Sequence, residues 1–211
     1  MLMNTLMKFK TLIICAAFFT LGAPVYAQQA EVAKLEATTK DVLDVLYGND
    51  SNDYTYEEQI VAVRTILERD YDLMVLMRRA LARNWNLLSA EEQVQVKELV
   101  TQLIVKAFVD GVQGSQRPAI VYGEPIMITD KRFEVPSVVT FSDGKVFNLV
   151  YRFGRLKTGW QIYDILAEDI SMVANYRQQF DDHFRKGTGA KLIEKLEELL
   201  EKENLHETTK L

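Results

Sequence analysis

Two hydrophobic periods divide this chain: apolar residues recur at helical spacing from Gln28 to Asp110, then alternate from residue 118 to 168. The first helical stripe, over residues 28–47, runs through Val32, Leu35, Val42, Leu43, Val45 and Leu46. The polar residues 48–53 read as a loop. Tyr54 or Thr55 opens a second helix, with Glu57 and Glu58 in the first turn, where the helix macrodipole favours acids. Ile60, Val63, Ile66 and Leu67 form its apolar side. A third helix is predicted over 71–85, with Leu73, Val75, Leu76, Ala80 and Leu81 on its apolar face. Ser89-Ala90-Glu91-Glu92 has capping-box spacing and starts a fourth helix, which runs to about Asp110 before Gly111 and Gly114. Its apolar face carries Val96, Leu99, Val100, Leu103, Ile104, Ala107 and Phe108.

The alternating half predicts four strands over 118–129, 131–142, 145–155 and 159–168. Asp143-Gly144 and Lys157-Thr158-Gly159 are tight-turn signals, so the strands form an antiparallel meander. The third strand places Phe147, Leu149, Tyr151 and Phe153 on one face and Val146, Asn148, Val150 and Arg152 on the other. The first face is continuous and apolar, and the flanking helices are its natural cover. The expected class is α+β, a curved antiparallel sheet of four or more strands wrapped by helices.

The N-terminus changes the picture of where the chain works. Lys8 and Lys10 precede an apolar run over 11–21, and Val25-Tyr26-Ala27 follows with small residues where a signal peptidase reads. The run is too short for a spanning helix, which needs about 20 residues. Residues 1–27 are therefore expected to be a signal peptide, an uncleaved anchor being the alternative. Residues 28–211 then form one exported domain. The chain's single cysteine, Cys15, follows Ile13-Ile14, not the small residue a lipidation site wants. Without cysteines the mature domain relies on a hydrophobic core. The chain carries 25 basic and 30 acidic residues, net −5, and loss of Lys8 and Lys10 takes it to −7. That balance argues against nucleic acid and against standing adsorption on anionic lipid.

Catalytic chemistry finds little foothold. His183 and His206 lie in charged C-terminal sequence and are expected in solvent. No Cys/His cluster suggests zinc, and Gly187-Thr188-Gly189 is too short for a phosphate loop, reading instead as a hinge or cap. Asp164 stands out because an acid is poorly suited to a strand interior. It reads either as a pocket acid or as a structural acceptor for backbone N–H groups near the following helix, and the structural reading is favoured. Arg78, Arg79 and Arg83 could meet a phosphate or a membrane partner, but a solvated helix face is the favoured reading.

Gly159, Trp160, Tyr163, Asp164, Glu168, Ser171, Tyr176, Arg177, Phe180 and Leu192-Ile193 form an ordered set that resembles the C-terminal signature of the MlaC family, the toluene-tolerance auxiliary proteins. Asp70-Tyr71-Asp72-Leu73, Ala82-Arg83-Asn84-Trp85, the segment Leu88 to Gln93 and Lys106-Ala107-Phe108 resemble its helical half. Where the family usually has Glu-Gly before the serine turn, this chain has Glu168-Asp169, a substitution that a left-handed turn tolerates. The resemblance implies a cone-like fold related to ketosteroid isomerase and nuclear transport factor, and a periplasmic carrier of phospholipid with no other cofactor. It also implies two partners: an inner-membrane ABC-type complex with an MCE subunit, and an outer-membrane lipoprotein–porin complex.

On that reading the residues expected around the lipid are Leu73, Leu76, Leu99, Leu103, Phe147, Leu149, Tyr151, Tyr163, Ile165, Val173 and Tyr176. Arg177 suits either a headgroup contact or an ion pair on the helix surface. No bond is made or broken by such a carrier. The rival readings are a cone-fold isomerase or hydrolase using Asp164, and a ligand-free periplasmic adaptor.

Overall fold

The computed structural model describes residues 23–48, 54–112 and 115–201. Most of the expected signal segment and His206 lie outside them. The helices are α1 (Ala23–Tyr47), α2 (Tyr56–Asp70), α3 (Leu73–Leu81), α4 (Ala90–Val112), α5 (Met172–Phe184) and α6 (Gly189–Leu200). The strands are β1 (Ala119–Tyr122), β2 (Ile126–Thr129), β3 (Arg132–Thr140), β4 (Val146–Leu156), β5 (Gly159–Ala167) and β6 (Ile170–Ser171). All pairings are antiparallel: β1 and β2 both pair with β3, followed in order by β4, β5 and β6. The class is α+β with an open six-stranded sheet.

Local chemistry sets many of the element ends. Thr55 caps α2 through a reciprocal box, its N–H donating to Glu58 at 2.7 Å while its hydroxyl accepts from the Glu58 N–H. Ser89 and Glu92 make the same exchange at the start of α4. Gly144 (φ 85°) and Gly159 (φ 110°) supply the left-handed residues of the β3–β4 and β4–β5 turns. Between β5 and β6 the left-handed pair is Glu168 (φ 48°) and Asp169 (φ 64°), so the turn forms here without glycine. Asn148 anchors it, donating its N–H to the Glu168 carboxylate and accepting the Glu168 N–H at its carbonyl.

Two elements differ from the sequence expectation. The strand expected over 118–129 is broken into β1 and β2 at Gly123-Glu124-Pro125, where the Gly123 N–H bonds the Pro136 carbonyl. A side chain at Gly123 would meet the Pro136 ring at 2.9 Å, so the chain bends where only glycine fits. The helix expected over 71–85 ends at Leu81, and Ala82–Leu87 continues as a 3-10 helix. Arg177 takes the Arg79 carbonyl with two donors, at 3.1 and 2.7 Å, and Ala82 adopts φ 47°. Asn84, in the 3-10 segment, donates to Asp181 at 2.8 Å. The break is therefore held from α5, far away in sequence.

The apolar interior falls into three clusters. One joins α3, α4, α5 and α6 around Leu81, Val96, Phe180, Leu192 and Leu196. The second joins α1, α2 and α4 around Val42, Val63, Val105 and Val109. The third lies on the sheet face, where Phe133 stacks on Phe153 at 4.7 Å and meets Trp160 edge-on at 4.8 Å, beneath Leu35 and Tyr71.

Arg64 on α2 forks onto Glu98 of α4 at 2.6 and 2.8 Å. The Arg64 guanidinium, helped by the Gln102 amide, holds the Glu98 carboxyl down to about 2. Because the folded value lies below the unfolded one, this contribution is complete above about pH 4.3 and lost as pH falls towards 2. Both side chains are partly exposed, so the pair contributes at most about 1 kcal/mol. In melts from pH 6 to 2.5, Glu98→Gln should start less stable than the parent. The gap should close with acid, and a gap independent of pH would refute the assignment.

Candidate functional site

The register of β3, β4 and β5 builds one continuous apolar face. Phe133, Phe153 and Ile162 form its first row, Val135, Tyr151 and Ile165 its second, and Ser137, Leu149 and Ala167 its third; Val139 and Phe147 follow. Cover along β4 is graded, while Ser137 and Val139 of β3 on the same face stay buried. Phe153 is 0% exposed, Tyr151 and Leu149 are half-buried, and Phe147 is 43% exposed. The sequence alternation predicts the shared face but not that its covering gives out towards Phe147.

Ser137 and Ala167, neither singled out in the sequence, flank Leu149 with small side chains and make its row shallow. They were invisible without the register, because their shortness matters only beside Leu149.

Helices border this face on two sides. On the β1 side Tyr122 donates to Thr39 of α1 at 2.8 Å, and its ring lies 6.3 Å from that of Tyr151. On the β5 side α3 and α5 pack against the strand. Helix α4 packs on α6, α2 and α3. Burial pushes the hydroxyls of Tyr71, Tyr122 and Tyr151 above their ordinary range, so this end presents neutral phenols.

The residues expected around a lipid fall into four places. Leu73, Leu76, Tyr151 and Ile165 pack against the sheet-face cluster, and Phe147 and Leu149 continue that face outward. Leu99, Leu103, Val173 and Tyr176 belong to the helical cluster around Leu81. Tyr163 sits where the β4–β5 register shifts, its ring against the bare backbone of Gly154 and flanked by the guanidinium groups of Arg79 and Arg132. Arg177 holds the end of α3 through the Arg79 carbonyl.

Asp164 is 6% exposed and fully engaged with protein donors. One oxygen accepts from the N–H groups of Ile165 and Val173 at 3.0 and 3.2 Å. The other accepts from the Ser171 hydroxyl at 2.7 Å and from Arg152 at 3.3 Å. Ser171 in turn caps α5 by accepting from the Ala174 N–H. Asp164 thus ties β5, the β6 turn and the start of α5 into one unit. His183, expected in solvent, is half-buried, and its ring contacts the Thr188 carbonyl at 3.1 Å across the α5–α6 turn. Among the described residues no group of His, Cys, Asp and Glu is arranged to hold a metal, and no helix is long and apolar enough to cross a membrane.

An antiparallel sheet with one apolar face, partly roofed by helices, defines an α+β protein built around an apolar wall. A family model described as MlaC protein matches residues 36–198, and the chain belongs to that family. Its fold is similar to that of the phospholipid-binding protein from Ralstonia solanacearum, solved in complex with a phospholipid. The TM-score is 0.69 at 21% identity, over 82% of this chain and 96% of that one. No curated protein matches the chain.

Proposed function

We propose that the protein is a phospholipid carrier whose acyl tails lie along the sheet face between Tyr151 and Phe147. The observation that carries this reading is the graded cover of β4, from a sealed Phe153 to an exposed Phe147 on one apolar face. An apolar wall that is half-buried at Tyr151 and Leu149 and open at Phe147 is unfavourable in water unless something apolar covers it. Family membership and the phospholipid in the Ralstonia solanacearum protein support lipid as that cover. Leu73, Leu76 and Ile165 extend the wall, whereas Leu99, Leu103, Val173 and Tyr176 pack in the separate helical cluster around Leu81. Asp164 supports carriage over catalysis, since its near donors all belong to structural elements.

Two long acyl chains yield on the order of 24 kcal/mol of gross burial. Noncovalent affinity saturates near roughly −18 to −21 kcal/mol, so other costs offset part of that gain. Release into water is then slow, and transfer calls for partners that offer an apolar path. The proposed setting is the periplasm after removal of residues 1–27. The proposed partners are an inner-membrane ABC-type complex with an MCE subunit and an outer-membrane lipoprotein–porin complex.

Native mass spectrometry of the chain purified from a periplasmic fraction tests the reading. A mature N-terminus at Gln28 and co-purified phospholipid are expected. An empty, compact monomer would favour the ligand-free adaptor instead.

A further inference from the structure

Two guanidinium groups, those of Arg79 and Arg132, meet around Tyr163 in a cleft of about 390 Å³ at the far end of the sheet from Phe147. Arg79 comes from α3 and Arg132 from the start of β3, and Lys131 joins them against a single acid, Asp130, while Arg155 of β4 borders the cleft with its guanidinium beside Trp160 on the other face of the sheet. The β2–β3 and β4–β5 turns that form the cleft are bonded together, the Arg155 N–H donating to the Lys131 carbonyl at 3.0 Å.

None of these four cations forms an ion pair among the described residues, whereas Arg64, Arg69, Arg83, Arg117, Arg152 and Arg185 all do. Aromatic rings hold three of them instead. Tyr163 lies beneath both Arg79, at 4.5 Å, and Arg132, at 5.7 Å, while Trp160 lies 6.0 Å from Arg155. Rings orient guanidinium groups but bring no counter-charge. In a chain of net charge −5, this leaves a concentrated, unneutralised positive site.

We infer that the cleft is a seat for a phosphate group. Guanidinium forks match the paired oxygens of phosphate, and several held together favour it over a single carboxylate. The cleft has the volume of a small-molecule site, for which about 300–1,000 Å³ is usual. It lies about 23 Å from Phe147, seven residues of extended strand away. The phosphate arrives either on a lipid headgroup or on a soluble phosphate compound. Only the first source rests on the carrier reading.

Calorimetric titration of the mature protein with glycerol 3-phosphate and with inorganic phosphate reads the seat directly. Phosphorus NMR of the lipid-loaded protein reads the headgroup. Saturable binding of glycerol 3-phosphate is expected, weakened about tenfold in Arg132→Gln and Arg79→Gln, with unchanged melting temperatures and no effect of Lys97→Gln on α4. If loaded lipid blocks the titration and its phosphorus resonance moves in Arg132→Gln, the headgroup occupies the seat. If the titration is the same with and without lipid, the source is a soluble phosphate. No heat with either probe together with an unmoved resonance, or variants that bind like the parent, would overturn the assignment. Protein that carries no lipid would end the carrier reading and leave the titration readable.

Discussion

Tryptophan in place of Leu149 is expected to strip most of the bound phospholipid from the protein while leaving it folded. Leu149 sits half-buried with Ser137 and Ala167 opposite it on the same face. An indole there has room to lie across two small neighbours, in the space proposed for an acyl tail. Lipid occupancy by native mass spectrometry should fall about tenfold, a displacement worth roughly 1.4 kcal/mol. Compared with the parent in delipidated form, the melting temperature should move little, since loss of a bound ligand lowers it by itself. A solid core would respond differently: overpacking costs about 1–3 kcal/mol. At about 2–4 °C per kcal/mol for a domain of this size, that is a visible drop. Full lipid load with a lowered melting point would therefore refute the proposed tail path.

Removing the Asp164 carboxylate should produce the larger loss of stability. Alanine at 164 deletes the acceptor for two backbone N–H groups, the Ser171 hydroxyl and Arg152 at once. Breaking a buried charged pair costs about 3–5 kcal/mol, and Arg152 keeps Glu134 at 2.8 Å, which puts the expectation at the lower end. Asn at 164 retains an acceptor oxygen, so it should cost less: a charged acceptor contributes about 1.5–3 kcal/mol per bond against roughly 0.5–1.5 for a neutral one. Thermal melts should therefore rank parent, Asn and Ala in falling order. Phospholipid per folded molecule and its transfer to acceptor membranes should be retained in Asp164→Asn. Turnover of an ester, enone or steroid by the parent, abolished by Asn, would replace the carrier reading with an enzymatic one.

Features that depend on neighbours in the chain were legible in the sequence. The Ser89–Glu92 capping box, the glycine turns at 144 and 159 and the alternation through Phe147 to Phe153 act over two to four residues. Hydrogen-bond geometry and side-chain period therefore set them locally. The antiparallel meander followed from short turns, which allow no other pairing. The structural role favoured for Asp164 also followed, because a strand carboxylate is stable only with donors near it, and the start of α5 supplies them.

Tertiary structure decided what depends on distant partners. A helical pattern over 71–85 gave no warning that Arg177 would take the Arg79 carbonyl and stop α3 at Leu81. Alternation placed Tyr163 beside Ile165, but the shift of register between Arg152 and Phe153 turned its ring towards Gly154 and two arginines. The graded cover of β4 likewise depends on where helices of remote sequence come to rest. Sequence period fixes which side chains share a face. Only the packing of separate elements fixes how far that face is closed, because closure depends on distances between surfaces that no local pattern encodes.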